Sequence, residues 1–466
     1  MITYDCIIVG AGPAGIFTAM EYLKRSPGRK VLILEKGKRI ENRSCPMRET
    51  GWCHNCRPCN ITTGFSGAGA FSDGKLMLSP EIGGMLNEYM PEERLVSLIR
   101  YVDNIYLSYG ADPTLYGVNL DEEAMQDLRQ KVTRSNLKLV DSPVRHMGTE
   151  GSYRIYTQIQ KELLDSGAEI RFETEVADLI LEGESVAGVR ADGGEFRSGN
   201  VVLTVGRRGA EWLKTMCVRY GIETRIGGVD IGVRVEVRNE IMKEVNDRIY
   251  ESKLIYYTPT FDDRVRTFCH NPAGIVATEY YHDDLAVVNG HSYKADRLKT
   301  GNTNFAILVS NYFTDPFKEP IEYGKYIARL ANMLSGNKVM VQCFGDFRRG
   351  RRTNAERLAR NSLRPTLKDA VPGDLCLVFP YRIMLDIKEM IAALDTIFHG
   401  LASDETLLYG VEVKFYSNII RVNERFQTRY RGLYAGGDGA GITRGLVQSS
   451  INGVLIGRIL SGHEAY

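Results

Sequence analysis

The sequence carries almost no net charge and has no long apolar run. Its 466 residues include 59 Lys and Arg against 58 Asp and Glu, which leaves a formal net charge of +1. A chain so balanced has no overall field that would attract nucleic acid or an anionic membrane. Its longest apolar runs, such as VVLTV and FAILV, are far shorter than the roughly 20 residues that a membrane-spanning helix needs. We therefore expect neither nucleic acid nor a membrane as the main partner.

The sequence also lacks the pattern of a secretory signal and of a disulfide framework. It opens on a strand-like segment, YDCIIVG, without the basic and long apolar segments of a signal peptide. Nine cysteines is an odd number in a chain of this length, which argues against paired disulfides and predicts a reducing, cytoplasmic compartment. The hydrophobic content of 43% is ordinary for a globular protein, and the length predicts two or three domain units.

Four of the nine cysteines lie in one short segment, CPMRETGWCHNCRPC. Their spacing, C-x7-C-x2-C-x2-C, brings four thiol ligands close together, as an iron–sulfur cluster or a structural zinc ion requires. The tight triplet favours a cluster, whereas Pro58 and the lack of a Cys-Pro ending differ from ferredoxin loops. Redox-active thiols and simple packing are the alternatives. The candidate metal ligands are Cys45, Cys53, Cys56 and Cys59.

The first 36 residues have the pattern of a β–α–β unit. Apolar runs at residues 4–10 and 30–36 predict strands, and apolar residues at helical spacing predict a helix over 13–25. The turn before that helix, GAGPAG, matches G-x-G-x-x-G, and Glu35 follows twenty residues after Gly15. In this context the motif predicts a dinucleotide site, with the pyrophosphate at the helix N-terminus and Glu35 on the ribose.

Two further glycine-rich segments favour FAD over NAD. TRYRGLYAGGDGAG, residues 428–441, has the form seen near the C-terminus of glutathione-reductase-type flavoproteins, where a strand ends in a Gly-Asp pair. Asp438 would bond the ribityl hydroxyls or act next to the pyrophosphate, and a helix starting near Gly445 would aim its amides at the pyrimidine edge of the flavin. VVLTVGRRG, residues 201–209, resembles the internal strand-and-glycine motif of the same class. Three motifs in this order predict bound FAD.

The chain resembles a known family over most of its length. The segments that carry the resemblance are GAGPAGI, GFSGAGAFSDGKL, RTFCHNP, VVNGHSY, DFRRGRRT, GVEVKFYSN and GLYAGGDGAGITRGLVQS, between residues 10 and 449. They are similar to the FAD-dependent dehydrogenase family of bacteria and archaea, within the NAD(P)/FAD-dependent oxidoreductases of glutathione-reductase-type fold. The resemblance implies FAD and a redox reaction, and it supplies no substrate.

The expected fold is α/β with two domains. A Rossmann-like FAD-binding domain of the glutathione-reductase type is assembled from residues 1–222 and 381–466. A β-rich substrate domain, residues 223–380, is inserted between these two segments. Strand-like segments with longer loops begin near residue 224, and this change of character marks the inserted domain.

The candidate site residues come from these motifs and from the resemblance. The loop GAGAFSDGK is expected against the flavin, where Phe71 would cover a ring face and Lys75 would hold negative charge. Cys269 and His270 are candidate catalytic residues together with Lys75, because a nearby His⁺ lowers the pKa of a thiol. Neighbours on a strand point to opposite faces, so at most one of the two faces the ring, and a buried structural cysteine is the alternative. The predicted cofactor-binding residues are Gly10, Gly12, Pro13, Ala14, Gly15, Glu35, Lys36, Arg43, Gly69, Ala70, Phe71, Val176, Gly206, Asp438, Gly445, Leu446 and Val447.

These observations predict an FAD-dependent oxidoreductase that transfers a hydride between a small organic substrate and flavin N5. No second G-x-G-x-x-G unit lies downstream, so NAD(P)H, the candidate electron donor, would have no domain of its own. One alternative is a flavin-dependent RNA-modifying or RNA-binding protein, which the basic cluster RRGRR favours and the net charge of +1 disfavours. Another is an electron-transfer protein in which a flavin and an iron–sulfur cluster exchange electrons.

Overall fold

The computed structural model describes residues 3–46, 54, 56–72, 74–118, 122–140, 143–246, 249, 253–281, 285–292, 297 and 299–463. The chain divides into two compact units. Unit 1 comprises Met1–Tyr116, Pro143–Gly227 and Ser417–Tyr466, and unit 2 comprises Gly117–Ser142 and Gly228–Tyr416.

The helices and strands are numbered in chain order. The strands are β1 (Cys6–Val9), β2 (Val31–Leu34), β3 (Lys75–Met77), β4 (Leu115–Tyr116), β5 (Leu137–Val140), β6 (Val144–His146), β7 (Glu169–Arg171), β8 (Val176–Glu182), β9 (Ser185–Ala191), β10 (Gly194–Arg197), β11 (Val201–Leu203), β12 (Thr224–Arg225), β13 (Val229–Arg238), β14 (Lys253–Tyr257), β15 (Arg264–Asn271), β16 (Ile275–Tyr281), β17 (Leu285–His291), β18 (Asn302–Asn311), β19 (Met340–Cys343), β20 (Val371–Pro372), β21 (Leu407–Phe415), β22 (Ile419–Ile420) and β23 (Leu433–Ala435). The α-helices are α1 (Pro13–Arg25), α2 (Glu92–Ser108), α3 (Glu122–Arg134), α4 (Gly148–Asp165), α5 (Ala210–Tyr220), α6 (Asn239–Asn246), α7 (Pro320–Ser335), α8 (Phe344–Arg348), α9 (Ala355–Arg360), α10 (Tyr381–Asp395) and α11 (Leu446–Leu460).

The boundaries of the units differ from the predicted domains by a few residues at 223–227 and, more substantially, in two longer segments. Residues 381–416 were expected in the FAD domain, but β21 lies in unit 2 because it pairs with β13. Residues 117–142 were expected there too, but β5 pairs with β14 of unit 2. Both differences come from pairing between strands that are far apart in the sequence, which local patterns do not reveal.

Unit 1 is built on a parallel sheet of five strands in the order β23–β11–β1–β2–β7. The runs CIIV of β1 and VLIL of β2 are buried at every position, as expected for parallel strands that are covered on both faces. Helix α1 follows β1 directly and has the predicted bounds. The glycine turn that joins β1 to α1 therefore lies at the carboxyl end of the central strand, where α/β proteins bind nucleotides.

Helix α11 packs closely against α1 through two glycines one turn apart. A Cβ on Gly453 would lie 2.2 Å from the carbonyl oxygen of Ala14, and one on Gly457 would lie 2.8 Å from that of Thr18. Residues four apart share a helix face, so the two glycines form one flat strip on α11. Larger side chains there would force the helices apart.

Three smaller sheets complete unit 1. Strands β8, β9 and β10 form an antiparallel meander over the region predicted to be hairpin-like. Strands β3, β6 and β4 form a second antiparallel sheet, and β12 pairs with β22.

Unit 2 contains a sheet of eight strands in the order β20–β19–β21–β13–β18–β15–β14–β5. Its central strand, β13, alternates in character. Val229, Ile231, Val233, Val235 and Val237 belong to an apolar core that includes residues of α7 and α10. Between them, Asp230, Arg234 and Glu236 are also buried, and because side chains alternate across a strand they occupy the opposite face. At β13 the sheet therefore has one apolar and one charged face.

The predicted fold class, an α/β protein with a Rossmann-like parallel sheet and a β-rich second part, is confirmed by these two units. Among the described helices, none has the length and apolar character needed to cross a membrane.

Candidate functional site

The glycine turn of unit 1 has the shape of a nucleotide-binding turn. Gly10 has φ +100°, and a Cβ there would lie 2.8 Å from the carbonyl oxygen of Thr204. A Cβ on Gly15 would lie 2.1 Å from the carbonyl oxygen of Gly10. By contrast, a Cβ on Gly12 would meet its nearest described atom, the Thr204 carbonyl oxygen, at 4.0 Å. Packing thus requires glycine at positions 10 and 15, whereas Gly12 borders open space.

Helix α1 begins beside this open space without a cap. Its N-cap residue is Gly12, which offers no side-chain cap, Pro13 occupies the start of the first turn, and that turn has no acidic residue. The amides of an uncapped first turn and the helix dipole favour an anion at this position. This arrangement fits the predicted pyrophosphate contacts of Gly12, Pro13 and Ala14.

Glu35 holds the glycine turn in place through hydrogen bonds to the backbone. Its buried carboxylate accepts hydrogen bonds from the backbone amides of Ala11 at 2.8 Å, Gly37 at 2.8 Å and Gly64 at 3.0 Å. A carboxylate has about four acceptor positions, so one is left for the ribose contact that the sequence predicts. The structure adds a second role, because Glu35 ties the glycine turn to the loop that follows the cysteine segment.

Arg43 organises that loop. Its guanidinium donates to the carbonyl oxygens of Asn60, Ile61, Phe65 and Gly67. Burial lowers the pKa of Arg43 to about 10, partly offset by the negative charges of Glu35 and Cys59. Arg43 is a predicted cofactor-binding residue. In the structure its hydrogen bonds to these carbonyl groups hold the loop in shape, and its contact with the cofactor stays a prediction.

The loop then runs from the glycine turn to the start of α11. The amide of Ser66 donates to the carbonyl oxygen of Ala11 at 2.7 Å. A Cβ on Gly67 would lie 3.7 Å from the Cα of Gly12, and one on Gly69 would lie 3.1 Å from Leu446. The loop therefore lies close to the first turns of both helices, and the predicted cofactor contacts of Gly69 and Ala70 stay predictions.

Helix α11 also begins without a cap or an acidic first turn, at the N-cap residue Gly445. Close to it, Asp438 accepts a hydrogen bond from the Thr443 hydroxyl at 2.8 Å and faces Arg207 at 3.4 Å. Burial raises the pKa of Asp438, against the opposing effects of Arg207 and Thr443. We call this whole set of residues the nucleotide cradle: Gly10 to Gly15, Glu35, Ser66 to Ala70, Asp438 and Gly445 to Val447.

Three further predicted cofactor residues border the cradle. Lys36 follows Glu35 and lies 3.6 Å from the carboxylate of Glu175, which immediately precedes Val176, the buried first residue of β8. Gly206 precedes Arg207, which lies beside Asp438. The structure thus brings the two outlying motifs of the sequence into unit 1 next to the glycine turn.

Phe71 and Lys75 lie just beyond the cradle. The Phe71 ring is 4.4 Å from the guanidinium carbon of Arg43 and packs edge-on against Tyr153. Lys75 begins β3 and pairs with His146 across the antiparallel sheet. Their predicted contacts with the flavin stay predictions.

Cys269 and His270 lie in unit 2, at an irregularity near the end of β15. The register of β15 against β18 shifts between Phe268 and Asn271, and Cys269 has φ +50°. His270 is buried, where it shares a hydrogen bond with Asn246 at 2.6 Å and stacks on Phe305. Cys269 is half-buried. Of the predicted pair, Cys269 is the more accessible side chain, and the buried His270 is held by its own unit.

The cysteine segment is described in part. Cys45, Cys56 and Cys59 are free and half-buried, and Cys53 lies outside the described residues. The described residues contain no group of three or more His, Cys, Asp and Glu that could hold a metal ion. Burial would raise the pKa of the Cys59 thiol, but the amides of Ile61 and Thr62 and the charge of Arg208 leave it lowered. The predicted metal site, which needs Cys53, stays a prediction.

Two buried polar residues that support the cradle were not predicted from the sequence. Thr204 donates through its hydroxyl to the carbonyl oxygens of Val9 at 3.2 Å and Gly10 at 3.1 Å. Asn452 accepts from the amide of Gly437 at 2.8 Å, while its Nδ2 finds no partner among the described atoms. A polar residue inside the apolar helix pattern LVQSSINGVLIGRIL was the available signal for Asn452.

The basic cluster RRGRR is partly compensated by acids. Arg348 and Arg349 both pair with Asp404 at 2.7 Å, and Arg351 pairs with Asp346. Two carboxylates against four arginines neutralise about half of the positive charge, which reduces the attraction of the cluster for a phosphate backbone. The observation weighs against the RNA-binding alternative.

Comparison with known proteins gives one family match. Residues 229–415 match the family described as "FAD-dependent protein, C-terminal domain-like". The chain is also 23% identical over 476 aligned positions to a protein of Clostridium beijerinckii (strain ATCC 51743 / NCIMB 8052) described as an uncharacterized protein, and the match covers 97% of this chain and 79% of that one.

Several solved structures are distantly similar. Glycine oxidase from Geobacillus kaustophilus has 14% identity and a TM-score of 0.40, with 100% of this chain and 96% of that one covered. L-amino acid deaminase from Proteus vulgaris has 15% identity and a TM-score of 0.40, with 99% and 94% covered. Likenesses this distant carry no argument about chemistry. The family match does: it confirms the predicted resemblance to FAD-dependent proteins and the predicted FAD cofactor.

Proposed function

We propose that the protein is an FAD-dependent oxidoreductase that transfers a hydride to or from a small organic substrate. The observation that carries the proposal is the open space beside Gly12, bordered by the loop of Ser66 to Ala70 and by two uncapped helix N-termini. A flavin nucleotide needs this combination, because its pyrophosphate is anionic and must approach the backbone closely. FAD, when bound, supplies the hydride chemistry at flavin N5.

The chain's own residues would have separate tasks in holding the cofactor. The first turn of α1 would hold the pyrophosphate, and Glu35 would accept from the ribose. The N-terminus of α11 would stabilise negative charge on the ring system through its amides and dipole. Asp438, held by Thr443, would orient hydroxyl groups beside it. Lys75, Cys269 and His270 stay candidate catalytic residues, and NAD(P)H stays the candidate electron donor.

The first test measures bound FAD in the purified protein and in a matched pair of variants. Gly12→Val places a branched side chain in the open space, and Gly199→Val makes the same change at an exposed glycine where a Cβ would touch nothing within 4 Å. We expect flavin absorbance in the wild type and in Gly199→Val, and at least about a tenfold loss of FAD affinity in Gly12→Val. Circular dichroism checks that both variants are folded.

A second measurement follows the flavin absorbance after anaerobic addition of NADH or NADPH. Bleaching by either would support a nicotinamide donor. A wild-type protein that holds no flavin and cannot be reconstituted with FAD would contradict the proposed function. Elemental analysis for iron and zinc in the same preparation decides between the metal and thiol interpretations of the cysteine segment.

A further inference from the structure

Three cations of unit 2 surround one aromatic ring on the charged face of the eight-stranded sheet. The ring centroid of Phe268 lies 4.8 Å from the guanidinium carbon of Arg266, 5.6 Å from Nζ of Lys414 and 5.7 Å from Nζ of Lys253. Arg266 and Lys253 are buried, whereas Phe268 and Lys414 are half-buried. We call these four residues the cation cluster. It lies at the boundary between the interior and the surface of its unit.

Arg266 has hydrogen-bond donors left over. Its Nε and Nη2 donate to Asp230 at 3.2 and 2.6 Å, and Nη2 also donates to the hydroxyl of Tyr416 at 2.7 Å. A guanidinium carries five N–H groups, and within the described part of the chain those on Nη1 have no hydrogen-bond acceptor. Nε and Nη2 of Arg266 therefore hold the side chain in place, while the N–H groups on Nη1 are available to bind another acceptor.

Lys414 also has hydrogen-bond donors that its described contacts do not use. Its Nζ pairs with the Glu412 carboxylate at 3.0 Å, and that carboxylate is also held by Arg234 through two contacts of 2.8 Å. An ammonium carries three donors, so Lys414 retains capacity beyond this contact in the described structure. Burial alone would lower the pKa of Lys414, but the carboxylates of Glu412 and Glu279 outweigh it and leave the pKa raised. Lys414 is therefore charged at neutral pH.

We propose that the cation cluster binds the carboxylate group of an organic acid, which is the substrate class of the proposed oxidoreductase. The inference rests on the proposed function. Spare donors of Arg266 and Lys414 would hold the carboxylate oxygens, and the exposed part of the Phe268 ring would contact the apolar body of the acid. Each of these two cations already faces a protein carboxylate. The hydrogen-bond donors and the positive charge that remain therefore suit a small organic anion rather than a polyanion.

The test is isothermal titration calorimetry of the purified protein, after incubation with excess FAD and measurement of the bound flavin, with benzoate, with its neutral analogue benzamide, and with inorganic phosphate. Lys414→Met removes one charge of the cluster and leaves Glu412 paired with Arg234. Lys318→Met is the matched control, because it removes an exposed lysine of the same unit that pairs with Asp315. We expect benzoate to bind the wild type and Lys318→Met equally, and Lys414→Met at least about tenfold more weakly. Benzamide should not compete.

Several results would overturn the proposal: no heat with benzoate, equal affinity for benzamide, tighter binding of phosphate than of benzoate, or unchanged affinity in Lys414→Met. Thermal melting checks the fold of each variant, and Lys414→Gln replaces Lys414→Met if the latter melts early. The readout does not depend on turnover. Flavin without benzoate binding would reject this inference alone, whereas benzoate binding by a protein that cannot take up FAD would reject the proposed function.

Discussion

The nucleotide cradle of unit 1 and the cation cluster of unit 2 differ in the chemical groups that form them. The cradle consists mainly of backbone amides, glycines and open space, and the buried carboxylate of Glu35 is satisfied by backbone donors. The cation cluster consists of charged side chains on strands around the ring of Phe268, and two of them, Arg266 and Lys414, have an opposite charge beside them. A binding site can therefore be formed either by leaving room at helix ends or by burying charged side chains that keep spare hydrogen-bond donors.

The largest effect should come from breaking the buried ion pair of unit 2. Arg234 and Glu412 are both fully buried and pair through two contacts. Arg234→Met leaves that carboxylate with Lys414 as its remaining charged partner, so we expect a loss of about 3–5 kcal/mol in the free energy of unfolding, measured by urea denaturation. The double variant Arg234→Met/Glu412→Leu should recover part of it. Equal losses in both variants would mean that packing, and not charge, holds this face together.

A buried carboxyl group at the apolar face of the same sheet should make the free energy of unfolding depend on pH. Asp386 on α10 is buried, accepts from Thr258 at 2.8 Å, and its Oδ2 has no partner among the described atoms. Burial, together with the negative charge of Asp263, raises the pKa of Asp386 to about 7 against the effects of Thr258 and Arg382. The folded chain thus holds this proton more tightly than the unfolded chain, in which the pKa is near 3.8.

The contribution of Asp386 to the free energy of unfolding should therefore be largest below about pH 4 and should be lost as the pH rises to about 7. The loss attributed to this group is of order 2–4 kcal/mol. Asp386→Asn should remove this decline between pH 4 and 7, and urea denaturation across that range measures it. The pKa of Asp263 is lowered, chiefly by its hydrogen bond to Arg382. Its effect on the free energy of unfolding therefore has the opposite sign and is confined to lower pH. A variant that keeps the full slope would show that another group titrates.

The smallest of these effects tests the glycines of unit 1. Gly453→Val would push a side chain into the backbone of α1, because even its Cβ would lie 2.2 Å from the Ala14 carbonyl oxygen. We expect a loss of about 1–3 kcal/mol in the free energy of unfolding, together with weaker FAD binding, because Ala14 is part of the cradle. Gly199→Val serves again as the control. If stability falls while FAD affinity is unchanged, the contact supports the fold but does not position the cradle.

The sequence was sufficient to predict the cradle because its signals are local. The glycine spacing, the bounds of α1 and the strand before Asp438 each lie within a few residues, and the structure brings them together in unit 1. The assignment of β21 to unit 2 could not be predicted, since it depends on pairing with β13. The alternation in IGVRVEV was visible, but a pattern alone does not tell whether the charged face of a strand meets solvent or the interior.

Because α11 packs against α1, unit 1 can finish folding only after α11 has been synthesised. These helices and the strands β1 and β23 come from opposite ends of the described chain. During synthesis, the segments of unit 2 leave the ribosome before β23 and α11 do, so unit 2 can fold while the cradle still lacks one wall. We expect FAD to protect chains from proteolysis only once α11 has emerged, which pulse proteolysis of stalled chains of increasing length would measure.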